Sequence, residues 1–211
     1  MRGLLRVIAW LAFVALIIAA GAMLWLQGRG ISARPEPSAL EARAALFMRG
    51  WLTPPIFKGL KNPVTATDAN LATARQHFAD HCASCHANDG SGTTEMGRNL
   101  YPKAPDMRLP RTQGLSDGEL FYIIENGVRL TGMPGWSTGT VEGEKASWEL
   151  VHFIRRLPKL TADDLADMQK FNPVSPADLD EERKIEDFLN GGEAPPATPS
   201  AIDPHAGHKH Q

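Results

Sequence analysis

The only two cysteines of this 211-residue chain stand three positions apart and are followed at once by histidine, in CASCH, Cys82 to His86. A disulfide between them would close too short a loop to stabilise much, and it would leave His86 without a role. A structural zinc ion takes four ligands, usually from two paired knuckles, and the chain has no second cysteine pair. A redox-active dithiol belongs beside a strand, helix, strand pattern, and the region shows no strand-like alternation.

The flanking residues set the motif at the end of a helix. In DANLATARQHFADHCASCH, with Thr67 or Asp68 as N-cap, Leu71, Ala74, Phe78 and Cys82 recur at helical spacing. C-x-x-C-H is the pattern of covalent haem attachment. On one helical turn Cys82 and Cys85 present their sulfurs to the two vinyl groups along one porphyrin edge, and His86 is aimed at the iron as its proximal axial ligand. The expected cofactor is therefore one haem c per chain. In such proteins the second axial position is often methionine, which raises the reduction potential. Met96, Met107 and Met133 are the candidates. Met133 is the expected distal ligand, because RLTGMPGW sets it among Gly132, Pro134 and Gly135 in an irregular turn that can hold a thioether towards the metal. His77, His81 and His152 read as surface or core residues.

The N-terminus fixes where this chemistry happens. Arg2 and Arg6 precede Val7 to Leu26, twenty residues without a charge, long enough to cross a bilayer as a helix. Trp10 and Trp25 lie towards the two ends, and the leading arginines favour a cytoplasmic N-terminus. A cleaved signal peptide ending near Ala20-Gly21-Ala22 is the competing reading; it would leave Met23 to Leu26 as a greasy new terminus. The expectation is an uncleaved single-pass anchor in a bacterial inner membrane, with everything after Leu26 on the periplasmic side. Next, Ser38 opens a short amphipathic helix, SALEARAALFMRGW, whose stripe of Leu40, Ala44, Phe47, Met48 and Trp51 reads as a face packed on the domain, with contact to anionic lipid as the other reading.

From 67 to 160 the chain resembles a class I monohaem c-type cytochrome in its membrane-anchored bacterial form. Phe78 stands where that family's first helix carries an aromatic. LSDGELFYIIENGVRLTGMPGW is similar to the helix and loop that lead to the axial methionine, with Ser116 and Glu119 as a capping box and Gly127 as the helix stop. SWELVHFIRRL, Ser147 to Leu157, is similar to the last helix, which crosses the first. There are two departures. Ala74 stands where the family usually has glycine at that crossing, and either Pro102 or Pro105 in LYPKAPDM is the residue whose carbonyl orients His86, Pro102 being preferred.

The resemblance implies an all-α, cytochrome c-like domain around one covalent haem, preceded by one transmembrane helix. It also implies single-electron transfer between redox partner proteins of a respiratory chain, with no small-molecule substrate, so a carrier rather than an enzyme. Trp136 and Arg129 flank the methionine loop as candidate contacts to the haem propionates. The alternative is a haem-based gas sensor or haem enzyme in which Met133 is displaced by a ligand. The expected organisation is an anchor (1–26), a linker with the short helix (27–66), the haem domain (67–160), an acidic helical extension with helices from near Thr161 and Ser175 (161–192), and a Pro- and Ala-rich disordered tail (193–211). That tail holds His205, His208 and His210, a candidate weak site for capturing metal.

A net charge of −2 excludes nucleic acid as a partner. The charge is nonetheless divided: residues 27–66 hold six basic and two acidic side chains, whereas 161–193 hold three basic and ten acidic. An acidic face of that kind is commonly just solvated, though it also suits a basic redox partner.

Overall fold

Six of the helices described below begin where a hydroxyl, from Ser38, Thr67, Thr94, Ser116, Thr140 or Thr161, accepts from a free amide of the first turn. The computed structural model describes residues 2–30, 32–174 and 176–191, all helix and loop with no strand among them. It divides into two units, Met1–Phe171 and Asn172–Gln211.

In the first unit, α1 (Arg2–Arg29) is one uninterrupted helix, whose most apolar 18-residue window has a mean hydropathy of 2.6 with no part of it buried in the protein. It is long and apolar enough to cross a membrane. Helix α2 (Ala39–Leu52) starts at Ser38, whose Oγ accepts from the Glu41 amide while Glu41 returns the bond to the Ser38 amide. The apolar stripe of α2, expected to pack on the domain, does the opposite. Ala42, Leu46, Arg49 and Gly50 are the partly covered positions, Thr53 just beyond the helix is buried, and Leu40, Phe47 and Trp51 face outwards. The physical reason is that polar groups make the ties to the domain: Tyr101 donates to Glu41, and Lys103 pairs with Glu36 at 2.5 Å just before the helix.

A one-turn helix, α3 (Pro55–Lys58), begins with proline, whose missing N–H costs nothing at that position. Its Phe57 ring packs against Tyr122, at 4.9 Å between centroids, and against Phe121.

The core is built on a crossing of two helices. Helix α4 (Asp68–His77), capped by Thr67, buries Ala74 against the later α9. It does not run straight into the motif: Phe78–Cys82 form a π-helical turn, followed by the short α5 (Ala83–His86), which ends at Ala87 with φ +59°. Two further short helices, α6 (Glu95–Asn99) and α7 (Pro110–Gln113), lie in the loops that follow. Helix α8 (Asp117–Asn126) has the expected capping box of Ser116 and Glu119 and stops at Gly127.

Helix α9 (Val141–Arg156) begins at the Thr140 cap, well before Ser147, since VEGEKA is too polar to show an apolar period. It buries Trp148, Leu150, Val151, Phe153 and Ile154; Trp148 stacks on Phe121 at 4.0 Å and Phe153 meets Phe78 at 5.1 Å. Phe78, Phe153 and Val151 are essentially inaccessible, each contributing about 2 kcal/mol by burial. Helix α10 (Ala162–Gln169), capped by Thr161, adds the fully buried Met168 and pairs Asp164 and Asp167 with Arg75 on α4.

The second unit contains α11 (Pro176–Leu189), with Leu179, Ile185 and Phe188 exposed and Arg183 paired to Asp180. Ser175 and the tail with His205, His208 and His210 lie outside the described residues.

Candidate haem site

The π turn and α5 carry Cys82 and His86 to one wall of an apolar cavity, while the half-buried Cys85 between them does not line it. Cys82 and His86 line it together with His77, Phe78, Met107, Ile124, Met133, Trp136, Leu150 and Ile154, so α4, α5, α8 and α9 all contribute. The two cysteines are not joined to each other. Burial, and then the neighbouring Cys85, push the Cys82 thiol up to about 12. A thiol so far above neutral pH stays protonated, which is poor chemistry for a redox pair or a metal thiolate.

His86 is held from its backbone side. Its carbonyl accepts from the Gly92 amide at 2.8 Å, the Cys85 carbonyl accepts from Thr94 Oγ1 at 3.1 Å, and Gly97 on α6 leaves no room for a side chain beside that same Cys85 carbonyl. His86 is half-buried, and its Nδ1, which is itself buried, has no hydrogen bond of ordinary geometry. Burial lowers the His86 pKa and the Pro105 carbonyl, the one backbone acceptor acting on the ring, pulls it the other way. Of the two prolines expected to orient the imidazole, Pro102 and Pro105, it is Pro105 whose carbonyl acts on the ring.

The opposite contribution comes from the loop after α8. At Gly127 the backbone takes φ +67° and ψ −167°, a region only glycine enters readily. The loop then folds back on the helix end. The Val128 amide donates to the Met133 carbonyl at 3.0 Å, Met133 N–H donates to Thr131 Oγ1 at 3.1 Å, and the amides of Trp136 and Ser137 donate to the carbonyls of Ile124 and Glu125. Carbonyls left free at the end of α8 therefore hold the methionine loop in place.

Of the other methionines, Met96 is exposed and does not line the cavity, whereas Met107 does and is buried among core side chains. Trp136 lines the cavity and meets His81 edge to face at 5.7 Å; Arg129 is exposed and does not line it. His152 is structural, its Nε2 lying 2.7 Å from the Val64 carbonyl. His77, read from the sequence as surface or core, is a wall residue of the cavity next to His81, at 5.0 Å between rings. Three residues from the buried Ala74 and next to Phe78, it shares the covered side of α4, a signal that the spacing carried.

These residues fit a covalently held iron porphyrin. Greasy walls suit the ring, burial favours the neutral imidazole that binds metal, a thioether lies in the same cavity, and an orphaned ring nitrogen awaits a partner set by ligation. No curated protein matches the chain. A family model described as "Cytochrome C oxidase, cbb3-type, subunit III" matches residues 69–154, less than half of the chain but the whole of the cavity's lining. This stretch of the chain is accordingly a c-type cytochrome domain, of the kind that carries haem c covalently and transfers electrons.

Proposed function

We propose that the chain is a membrane-anchored monohaem cytochrome c that hands single electrons between respiratory partners on the periplasmic side of a bacterial inner membrane. The observation that carries this reading is the meeting of Cys82, His86 and Met133 in one apolar cavity. Haem c, when bound, supplies reversible one-electron exchange at iron. Cys82 and Cys85 would hold it by thioethers, His86 would bind it from α5 with the Pro105 carbonyl acting on its ring, and Met133 would bind it from the loop after α8. A haem held by two protein ligands in this way would leave no place for a substrate, which favours a carrier over an enzyme.

Met133 is preferred to Met107 on packing. Met107 belongs to the buried core cluster, and its loop is tied by Gln113 Nε2 donating to the Met107 carbonyl at 2.8 Å. Met133 lies outside that cluster, only half-buried, on a loop whose hydrogen bonds run within the loop itself, through the Thr131 hydroxyl and the backbone, or to the end of α8. Helix α1 supplies the anchor, residues 27–66 the link to the membrane, and 67–160 the haem domain, with the acidic helices after it as an extension.

The test is spectroscopic. In the haem-loaded protein, Met133→Ala is expected to abolish the sulfur-to-iron charge-transfer band of the ferric form, lower the reduction potential and open the ferrous form to carbon monoxide, while Met107→Leu changes none of these. The reverse pattern would move the ligand role to Met107, and no change in either would exclude methionine ligation.

A further inference from the structure

Helix α2 is built with its apolar side turned away from the domain. The covered positions, Ala42, Leu46, Arg49 and Gly50, fall on one stripe at three- and four-residue spacing. The opposite stripe is Leu40, Phe47, Met48 and Trp51, with Leu40 80% exposed, Phe47 70% and Trp51 69%. A contiguous exposed surface of large apolar side chains, fixed in that orientation by Tyr101 on Glu41 and Lys103 on Glu36, marks a surface with an occupant.

We propose that α2 lies on the membrane surface, with Leu40, Phe47, Met48 and Trp51 set into the headgroup boundary of an anionic leaflet. The inference rests on reading α1 as a membrane anchor, and three observations choose lipid as the occupant. First, only residues 30–38 separate the end of α1 from the start of α2, a tether of at most about 30 Å, so α2 cannot leave the vicinity of any bilayer that α1 crosses. Second, residues 27–66 carry six basic and two acidic side chains, the sign that an anionic leaflet attracts. Third, the stripe combines tryptophan, phenylalanine and leucine with the exposed Arg43 beside it, the make-up of a helix lying in an interface rather than one crossing it. Since α2 is tied to the loop of Tyr101 and Lys103, which runs on to Pro105, such seating would hold the haem domain in a set orientation to the membrane instead of leaving it to swing on a flexible linker.

The experiment uses the full haem-loaded chain in lipid nanodiscs and reads amide hydrogen exchange of residues 39–52, with α8 as internal reference. Three arms are compared: the native chain in discs containing phosphatidylglycerol, the same chain in phosphatidylcholine alone, and the Phe47→Ser/Trp51→Ser variant in the phosphatidylglycerol discs. Both substituted side chains are exposed on the domain, so the variant is expected to keep its haem spectrum and its α8 exchange. Exchange of 39–52 is expected to be slowest in the first arm and about tenfold faster in the variant, with phosphatidylcholine in between. Equal exchange in all three arms overturns the proposal, and equal protection in the two lipids overturns its anionic part. Protection found in native membranes but not in discs assigns the face to a protein partner instead. Release of the chain from discs by an alkaline carbonate wash refutes the anchor itself, an outcome distinct from a chain that stays inserted with α2 unprotected.

Discussion

Gly127→Ala tests how far the position of Met133 depends on a single backbone turn. Gly127 sits at φ +67° and ψ −167°, where an L side chain is strained by about 1–3 kcal/mol. A Cβ there would stand 2.5 Å from the Pro134 carbonyl carbon and 2.6 Å from both the Gly135 amide nitrogen and the Met133 carbonyl oxygen. All three are backbone atoms, so no side-chain rotation relieves the contact, and the methionine loop must withdraw by roughly 1 Å to reach ordinary van der Waals distance. That movement loosens the bond from Val128 to Met133, worth about 1 kcal/mol. The sum is about 3 kcal/mol, or a fall in melting temperature on the order of 10 °C. Gly139→Ala is the control: its φ is +69° but nothing lies within 4 Å of the added Cβ, so it bears the strain without the collision. Thermal unfolding of the haem-loaded variants, read together with the sulfur-to-iron charge-transfer band, is expected to show a large loss of stability and a weakened band for Gly127→Ala, and about 1 kcal/mol with an intact band for Gly139→Ala. Equal destabilisation by the two, with the band unchanged in both, would show that the loop is not braced by Gly127 and would refute the reasoning.

At the α4–α9 crossing, Ala74 is 1% exposed, so Ala74→Leu is expected to overpack it at about 2–3 kcal/mol, seen as a lower urea midpoint; an unchanged midpoint would mean that the helices separate without cost. Asp164 is held below the usual carboxylate range, first by the Thr161 amide and hydroxyl and then by Arg156 and Arg75. Its folded pKa is depressed, so its stabilisation is complete above about pH 4 and is lost as pH falls through the folded value. Asp164→Asn is therefore expected to be less stable than the native chain at pH 7 and to converge with it in acid; a gap that stays constant down to pH 3 in denaturant titrations would argue against this sign.

Much of the haem domain was legible in the sequence because its signals are local. The hydroxyl caps at Ser38, Thr67, Ser116 and Thr161 all start helices, and Gly127 stops one, since each satisfies a specific set of free backbone groups. Other features depend on where a segment ends up. The apolar period of α2 was plain, but periodicity identifies a greasy face without saying whether protein or something else covers it. Likewise two prolines three residues apart, Pro102 and Pro105, compete as partners for His86 until the path of the loop is known, and the place of His77 in the cavity wall depends on which elements pack against α4.

That helix shows why the motif works where it stands. In an α-helix of 3.6 residues per turn a four-residue step already sets Cys82 on the face of Phe78, about 40° past a full turn, and both side chains line the cavity. The π turn over Phe78–Cys82 takes more residues per turn and turns that offset the other way, which resets the direction in which the following α turn leaves it. The helix tightens again at Ala83, and the ordinary α turn through Ala83–His86 then delivers His86 to the same cavity. One face serves two purposes in succession, packing Phe78 against Phe153 and then presenting Cys82 and His86 to the cavity. No residue type in FADHC marks the widened turn, because none of Phe, Ala, Asp, His and Cys is barred from an ordinary α-helix.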